Sequence, residues 1–302
     1  MLLKKRSETK ELVVMRYLDK RMELSARDKF HLNNLEKGYK GEVEFDVLTE
    51  NLSEERYILD DLLLQVNNSY FQIDKVIISE GLIHLLDVKY HQGDFYLESD
   101  KFYSVTSGKE YNNPIIQLKR SETLFRQLLQ NLKLNNLVQA SVVFNNPEFT
   151  LYQAPMDLPI ILPTQINRFL KELNSTPSKL EENHKILAKK LLFLHHDKNP
   201  YTTLPGYDYE QLEKGMHCRR CGSFNTSIKK QNLFCGKCGD SERVENAIIQ
   251  QIEEFKLLFL ERKITAQSIY EWCNIDINKR RITRVLKKYC KAAGTTSDTY
   301  YE

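Results

Sequence analysis

The chain has 302 residues, 41% hydrophobic and 28% charged, with 11 Gly, 8 Pro and a formal net charge of +3. Those fractions exclude collagen, low-complexity sequence and wholesale disorder, and the length accommodates about two domains plus a small module. No run approaches the apolar stretch of about 18 residues that a membrane helix needs, and the opening MLLKKRSETK lacks the apolar core of an export signal.

Residues 2–36 carry Leu12, Val13, Tyr17, Leu18 and Met22 at helical spacing without Gly or Pro, which predicts one helix. Gly38 and Gly41 are expected to interrupt it before a helical pattern resumes over 42–51. The period then changes. Runs 57–65, 70–79 and 82–89 are rich in Ile, Val, Leu, Tyr and Phe and are punctuated by Asn67-Asn68 and Glu80-Gly81, the pattern of strands joined by tight turns. A hairpin is expected over 93–105 with Ser99-Asp100 at its tip, then a helix of about twenty residues after Asn113-Pro114 and a strand over 138–144. Residues 150–163 read as loop with short strands, 164–173 and 178–196 as helices, and 197–216 as a linker. From 243 onward the pattern is helical again. The fold class expected is α/β or α+β, with helices covering a central sheet.

Charged residues on the strands stand out. Asp87 and Lys89 are two apart and share a sheet face, while Leu86 and Val88 take the other. Asp74 lies as far before the Glu80-Gly81 turn as Asp87 lies after it, so an antiparallel hairpin sets the two carboxylates opposite each other. Paired carboxylates suit a hard divalent cation, and a neighbouring ammonium can orient water or neutralise charge on a phosphate. The bland alternative is a structural ion pair at a sheet edge. Against it, Asp87 follows the apolar run LIHLL, where an unused charge is costly.

The order Gly38-x-x-Gly41-Glu42, Gln72-Ile73-Asp74, Asp87-Val88-Lys89 and Asn113-Pro114-Ile115-Ile116-Gln117 resembles the nuclease-related domain (NERD) of the PD-(D/E)xK restriction-endonuclease-like superfamily. The resemblance covers roughly residues 38–150. It implies a restriction-endonuclease-like sheet and a Mg²⁺- or Mn²⁺-dependent phosphodiesterase. Asp74 and Asp87 would be metal ligands and the Val88 carbonyl would complete the shell. Glu42 would help bind metal or orient water, Lys89 would be the catalytic lysine, and Gln117 would support the site. Relatives more often carry Glu where this chain has Asp87, a difference that bears on metal affinity rather than on fold. His84 shares the face of Leu82, Leu86 and Val88 and reads as a packed core residue.

Cys218-x2-Cys221 and Cys235-x2-Cys238 form two CxxCG knuckles. Each glycine permits a tight turn that aims backbone N–H groups at sulfur, and four thiolates close a tetrahedral shell, so a structural Zn²⁺ in a zinc ribbon is expected. His217 reads as a bystander. Metal-type cysteine spacing without an export signal points to the reducing cytoplasm.

Residues 217–302 hold 16 Lys+Arg against 10 Asp+Glu, whereas residues 1–216 hold 28 against 31. Residues 279–291 contain seven basic residues and no acid. There Ile282, Val285, Leu286 and Tyr289 make one helical side, and Arg280, Arg281, Arg284, Lys287 and Lys288 the others. Helix, turn and basic helix resemble a helix-turn-helix or winged-helix unit whose cations contact nucleic acid, DNA in the first instance. A merely solvated helical cap is the alternative. Trp272 reads as a core anchor, and Cys273 and Cys290 as packed free thiols.

The domains expected are an N-terminal helical extension (1–37), the nuclease-like domain (38–175), a helix and linker (176–216), the zinc ribbon (217–240) and the basic helical module (241–302). The function expected is metal-dependent DNA cleavage. The alternative is an inactive nuclease fold that binds DNA or a protein partner.

Overall fold

The computed structural model describes residues 1–52, 55–294 and 299–302. The chain begins with strand β1 (Leu2–Lys4) and helices α1 (Lys10–Arg21) and α2 (Ala26–Thr49). This corrects the single helix expected over 2–36. The Leu12 N–H donates to Thr9 Oγ1 at 3.2 Å and the Asp28 N–H to Ser25 Oγ at 3.1 Å. Two side-chain caps therefore start two helices, and Met22 ends the first in extended conformation. Gly38 and Gly41 do not interrupt α2, because tertiary contacts outweigh an intrinsic cost of about 1 kcal/mol per glycine.

The described residues form two compact units, Met1–Glu8 with Asn34–Thr202, and Thr9–Asn33 with Thr203–Glu302. The stretch 1–37 thus contributes to both.

The first unit is built on β2 (Tyr57–Val66), β3 (Ser69–Ile78) and β4 (Leu82–Lys89), an antiparallel meander. Asn67 and Asn68 take positive φ in its first turn and Gly81 in its second. The hairpin β5 (Gly93–Glu98) and β6 (Lys101–Ser104) follows, with Ser99-Asp100 at its tip, then β7 (Glu110–Tyr111). Helix α3 (Pro114–Asn131) is capped by Asn113, whose Oδ1 accepts the Ile115 N–H at 2.9 Å. Strands β8 (Leu137–Phe144), β9 (Phe149–Tyr152) and β10 (Ile160–Ile161) precede α4 (Ile166–Ser175) and α5 (Glu182–Phe193). The main sheet is mixed, in the order β1-β2-β3-β4-β8-β10, and a four-stranded sheet runs β7-β6-β5-β9.

Both faces of the main sheet are covered. Leu118, Phe125, Leu128 and Leu129 of α3 and Leu187 and Leu191 of α5 join Leu62, Leu64, Ile73 and Leu85 in one core. Phe45 of α2 and Ile166 and Leu173 of α4 join Ile58, Ile77, Leu86 and Val88 in the other. The expected α/β class, with helices flanking the sheet, is what forms. His84 is buried and meets the edge of Phe169 at 6.0 Å between ring centroids, a packed residue as expected.

The second unit contains the sheet β11 (Thr226–Lys229), β12 (Asn232–Cys235) and β13 (Ser241–Arg243), helices α6 (Val244–Leu258), α7 (Ala266–Cys273) and α8 (Lys279–Tyr289), and the pair β14 (Ala292–Ala293) and β15 (Tyr300–Tyr301). At its centre the buried Arg21 of α1 bonds Glu254 at 2.6 and 3.0 Å, Gln251 at 2.7 Å and the carbonyls of Glu213 and Gly215 at 2.6 and 3.2 Å. Its guanidinium lies 3.9 Å from the ring centroid of Trp272, which is fully buried as expected. Cys273 is buried and Cys290 half-buried, and both are free thiols. Among the described residues no helix is long and apolar enough to cross a membrane.

Candidate active site and metal centre

The strand registers build the first site. Lys75 pairs with Leu86 in the last rung between β3 and β4, and Asp74 and Asp87 lie just beyond it. On the other side of β3 the ladder has Asp60 against Lys75 and Leu62 against Ile73, and the Asp61–Asp74 rung between them is missing. Asp61 sits at φ +54°. The inward alternation flips across this break, from Leu59 to Leu62 on β2 and from Ile73 to Val76 on β3. The break turns Asp74 out of the regular pleat, and its Oδ2 accepts the Val88 N–H of β4 at 2.7 Å.

On β4, Lys89 Nζ lies 3.0 Å from Asp87 Oδ1 and 2.9 Å from Oδ2, and donates to Gln117 Oε1 of α3 at 3.2 Å. From the other face, Glu42 of α2 receives Arg6 Nη1 at 2.6 Å. Burial and the Asp74 charge push the Glu42 carboxyl up, with Arg6 opposing, and burial followed by Asp74 does the same to Asp87, with Lys89 opposing. Burial works against the charge on Lys89, but Asp87 and Asp74 outweigh it and raise its pKa. The five residues singled out from the sequence thus converge at one end of the sheet.

A ring of polar residues beneath them was not recognised in the sequence. Lys75 Nζ bonds Asp60 at 2.5 Å and Asp46 at 2.9 Å, both on the α2 side. Asn145, at the end of β8, donates its N–H to the Lys89 carbonyl at 3.0 Å and its Nδ2 to the Gly41 carbonyl at 2.9 Å, tying β4 to the turn of α2 that carries Glu42. Asn145-Asn146-Pro147 reads as a strand stop, and nothing in the string distinguishes it from any other turn.

The donors of this site are oxygens, the chemistry a hard divalent cation takes, but among the described residues only the four cysteines bring three or more ligand atoms within 4.8 Å of one another. Arg6 offsets Glu42 and Asp46, Lys75 offsets Asp46 and Asp60, and Asp74 and Asp87 share the ammonium of Lys89. Asp87 Oδ2 is buried, and the Lys89 ammonium at 2.9 Å is its charged neighbour. Asp74 and Asp87 beside one ammonium leave an excess of buried negative charge, which a hard divalent cation would offset.

Residues 37–145 match the family model of the nuclease-related domain, NERD. No curated protein and no solved structure gives a significant match to the chain. The NERD segment supplies Glu42, Asp74, Asp87, Lys89 and Gln117, and Asn145 is its last matched residue.

Outside the NERD segment lie the cysteines. The ligand atoms of Cys218, Cys221, Cys235 and Cys238 all fall within 4.8 Å of one another, the arrangement of a zinc ribbon's four-cysteine site. The glycine after each knuckle has positive φ, +70° at Gly222 and +74° at Gly239, and donates back to the carbonyl of the first cysteine of its knuckle at 2.9 and 3.1 Å. The N–H groups of Cys238 and Lys237 point at the Cys235 sulfur and draw its thiol down to about 6. Burial raises the Cys218 thiol and the neighbouring sulfurs help raise that of Cys238, so it is the four-sulfur geometry, not a shared downward shift, that suits a cation such as Zn²⁺. His217 stays outside the cluster and bonds Glu254 at 3.2 Å, as a bystander should.

On α8 the five basic residues separate by environment. Arg280, Arg284 and Lys287 are exposed. Arg281 donates to the carbonyls of Lys230 and Gln231 at the β11–β12 turn, at 3.2 and 3.5 Å, and Lys288 pairs with Glu245 at 2.7 Å. After α8 the pair β14–β15 forms an antiparallel ribbon, and Tyr301 bridges back to Ile264 just before α7.

Proposed function

We propose that the NERD segment hydrolyses phosphodiester bonds in nucleic acid with Mg²⁺ or Mn²⁺, and that the second unit holds the nucleic acid. The observation that carries this reading is the meeting of Asp87, Lys89 and Gln117, with Asp74 held against Val88 beside them and Glu42 close enough to feel the charges of Asp74 and Lys89. Asp74, Asp87 and the Val88 carbonyl would hold the cation, with Glu42 assisting. When bound, it polarises the phosphate and lowers the pKa of a coordinated water.

The chain's own part is positioning and charge. Both Asp87 oxygens and Gln117 hold the Lys89 ammonium. Beside a bound phosphate it would offset the charge that grows as the phosphorus–oxygen bond forms. Asp87 and Gln117 keep that ammonium from wandering, so little ordering remains for the transition state. Val88 N–H fixes the Asp74 carboxylate from the neighbouring strand.

The test is cleavage of plasmid and single-stranded DNA with Mg²⁺ or Mn²⁺. Lys89→Ala and Asp74→Asn should each lower the rate about 10²–10³-fold. Equal activity in wild type and variants would defeat the assignment. DNA retained in a salt-sensitive way without products would make the fold a binding scaffold instead.

For the second unit, Arg280, Arg284 and Lys287 are the cations we assign to nucleic acid, and the reading is supported by their outward placement on one short helix. Neutralising Arg284 and Lys287 together should weaken DNA binding and flatten the plot of log affinity against log salt by about 0.9 for each phosphate no longer neutralised. An unchanged slope would remove α8 from the interface. Arg281 is a tether to the β11–β12 turn in this reading and does not reach the nucleic acid.

A further inference from the structure

Arg6 precedes the NERD match and belongs to no motif, yet its side chain is 3% exposed and reaches three residues on two elements, α2 and β3. Nη1 donates to Glu42 Oε2 at 2.6 Å, Nε to Asp46 Oδ2 at 2.8 Å, and Nη2 to the Asp74 carbonyl at 2.7 Å. The residues before it are held as well. Leu2–Lys4 form β1 alongside β2, and Lys4 Nζ donates to the carbonyls of Asp60 and Asp61 at 2.9 and 2.7 Å, where the ladder breaks. The segment is thus anchored to β2 as well as, through Arg6, to α2 and β3.

We propose that Arg6 is a positioning residue of the metal site, joining the Glu42 carboxylate on α2 to the Asp74 backbone on β3 so that the carboxylates meet a cation in fixed geometry. The proposal rests on the nuclease reading of that site. It extends the site beyond the matched domain to the first strand of the chain.

The physical reason is the shape of guanidinium. Its donors form a rigid planar fork, so one side chain fixes the direction of several acceptors at once, which a lysine ammonium cannot do. Asp46 lies one helical turn after Glu42, so bonding both orients that face of α2 rather than a single rotamer. The bond to the Asp74 carbonyl then sets the distance between the helix face and the strand. A residue that orients a ligand typically contributes about 10–100-fold to metal affinity.

The experiment uses the full chain and Mn²⁺ alone as probe, with free Mn²⁺ read by electron paramagnetic resonance. The variants are Arg6→Met, Arg6→Lys, Glu42→Gln and the double variant Arg6→Met with Glu42→Gln. Circular dichroism melts report the folded fraction of each, and Asp74→Asn identifies binding that belongs to this site. Arg6→Met should raise the Mn²⁺ dissociation constant per folded molecule about 10–100-fold, and Arg6→Lys should recover part of the loss. In the Glu42→Gln background the further effect of Arg6→Met should shrink to about twofold, because Arg6 acts through Glu42.

If Arg6→Met lowers the melting temperature but leaves Mn²⁺ affinity unchanged, the residue is structural and the proposal is wrong. Independent, multiplicative effects of the two substitutions would also overturn it. Should Arg6→Met fail to fold, Arg6→Lys binding Mn²⁺ as tightly as wild type decides against the proposal, and weaker binding supports it. Wild type that shows no Asp74-dependent Mn²⁺ binding brings down the nuclease reading itself, and the proposal with it.

Discussion

At Gly41 a missing methyl group decides where Glu42 stands. A Cβ there would come within 2.5 Å of the Tyr90 ring, so α2 reaches the end of β4 only because residue 41 has no side chain. The sequence suggests a turn at this glycine, whereas the structure uses it as a point of close approach inside a helix. Spacing identifies a glycine but not what lies against it. The histidines give a measurable consequence of burial. Burial, with Arg56 adding to it, lowers His84 to about 4, and burial, with Lys89 adding to it, lowers His91 to about 4. Both titrate near 6.5 when unfolded. The unfolded chain therefore binds more protons between pH 6.5 and 4, and the folded first unit loses stability as pH falls through that window. Each histidine should contribute on the order of 1–3 kcal/mol to the loss. Urea melts between pH 7 and 4 should show a shallower decline in His84→Phe, and an unchanged slope would mean that His84 accepts a proton without cost.

Among the elements, β2 to β4 were the most legible. Their residue types, period and turns gave strand limits within a residue or two of those that form, because side-chain alternation and positive-φ turn residues are local properties. The break at Asp61 and Asp74 was not legible, since both strands change face together and neither run is interrupted in composition. The cysteine knuckles were legible as well, because CxxCG states both the ligands and the turn. Their cation should hold β11 to β13 together, a three-stranded sheet with a thin core of its own in which Leu233 is the buried aliphatic residue of β12. Removing zinc with a chelator under reducing conditions should reduce protection of the β11–β13 amides from hydrogen exchange while leaving β2–β4 unchanged. Full-strength protection at β11–β13 in metal-free protein would show that the thiols pack without a metal. Because Arg281 grips the β11–β12 turn, the amides of α8 should lose part of their protection in the same experiment.

On the scale of the whole chain, segments far apart in sequence share a unit. Residues 1–8 belong with 34–202, and residues 9–33 with 203–302. Arg21 is the residue that binds α1 into the second unit, and its partners Gln251 and Glu254 lie on α6. Burial opposes the Glu254 charge, but His217 and Arg21 hold its pKa below the usual carboxylate value. Arg21→Met would leave Glu254 buried without its cation, at a cost of about 3–5 kcal/mol. A melting curve of the second unit unchanged by Arg21→Met would refute that role. What the sequence alone determined is whatever a short window encodes: strand period, the tight turns between β2, β3 and β4, and the two cysteine knuckles. What only the tertiary structure decided is which distant residues complete those windows. Arg6 enters the carboxylate site, Asn145 ties β4 to α2, and Arg281 reaches across to hold a neighbouring loop. Their partners lie tens of residues or more away along the chain, and the pairing is set by burial of charge and by strand register, which no local pattern carries.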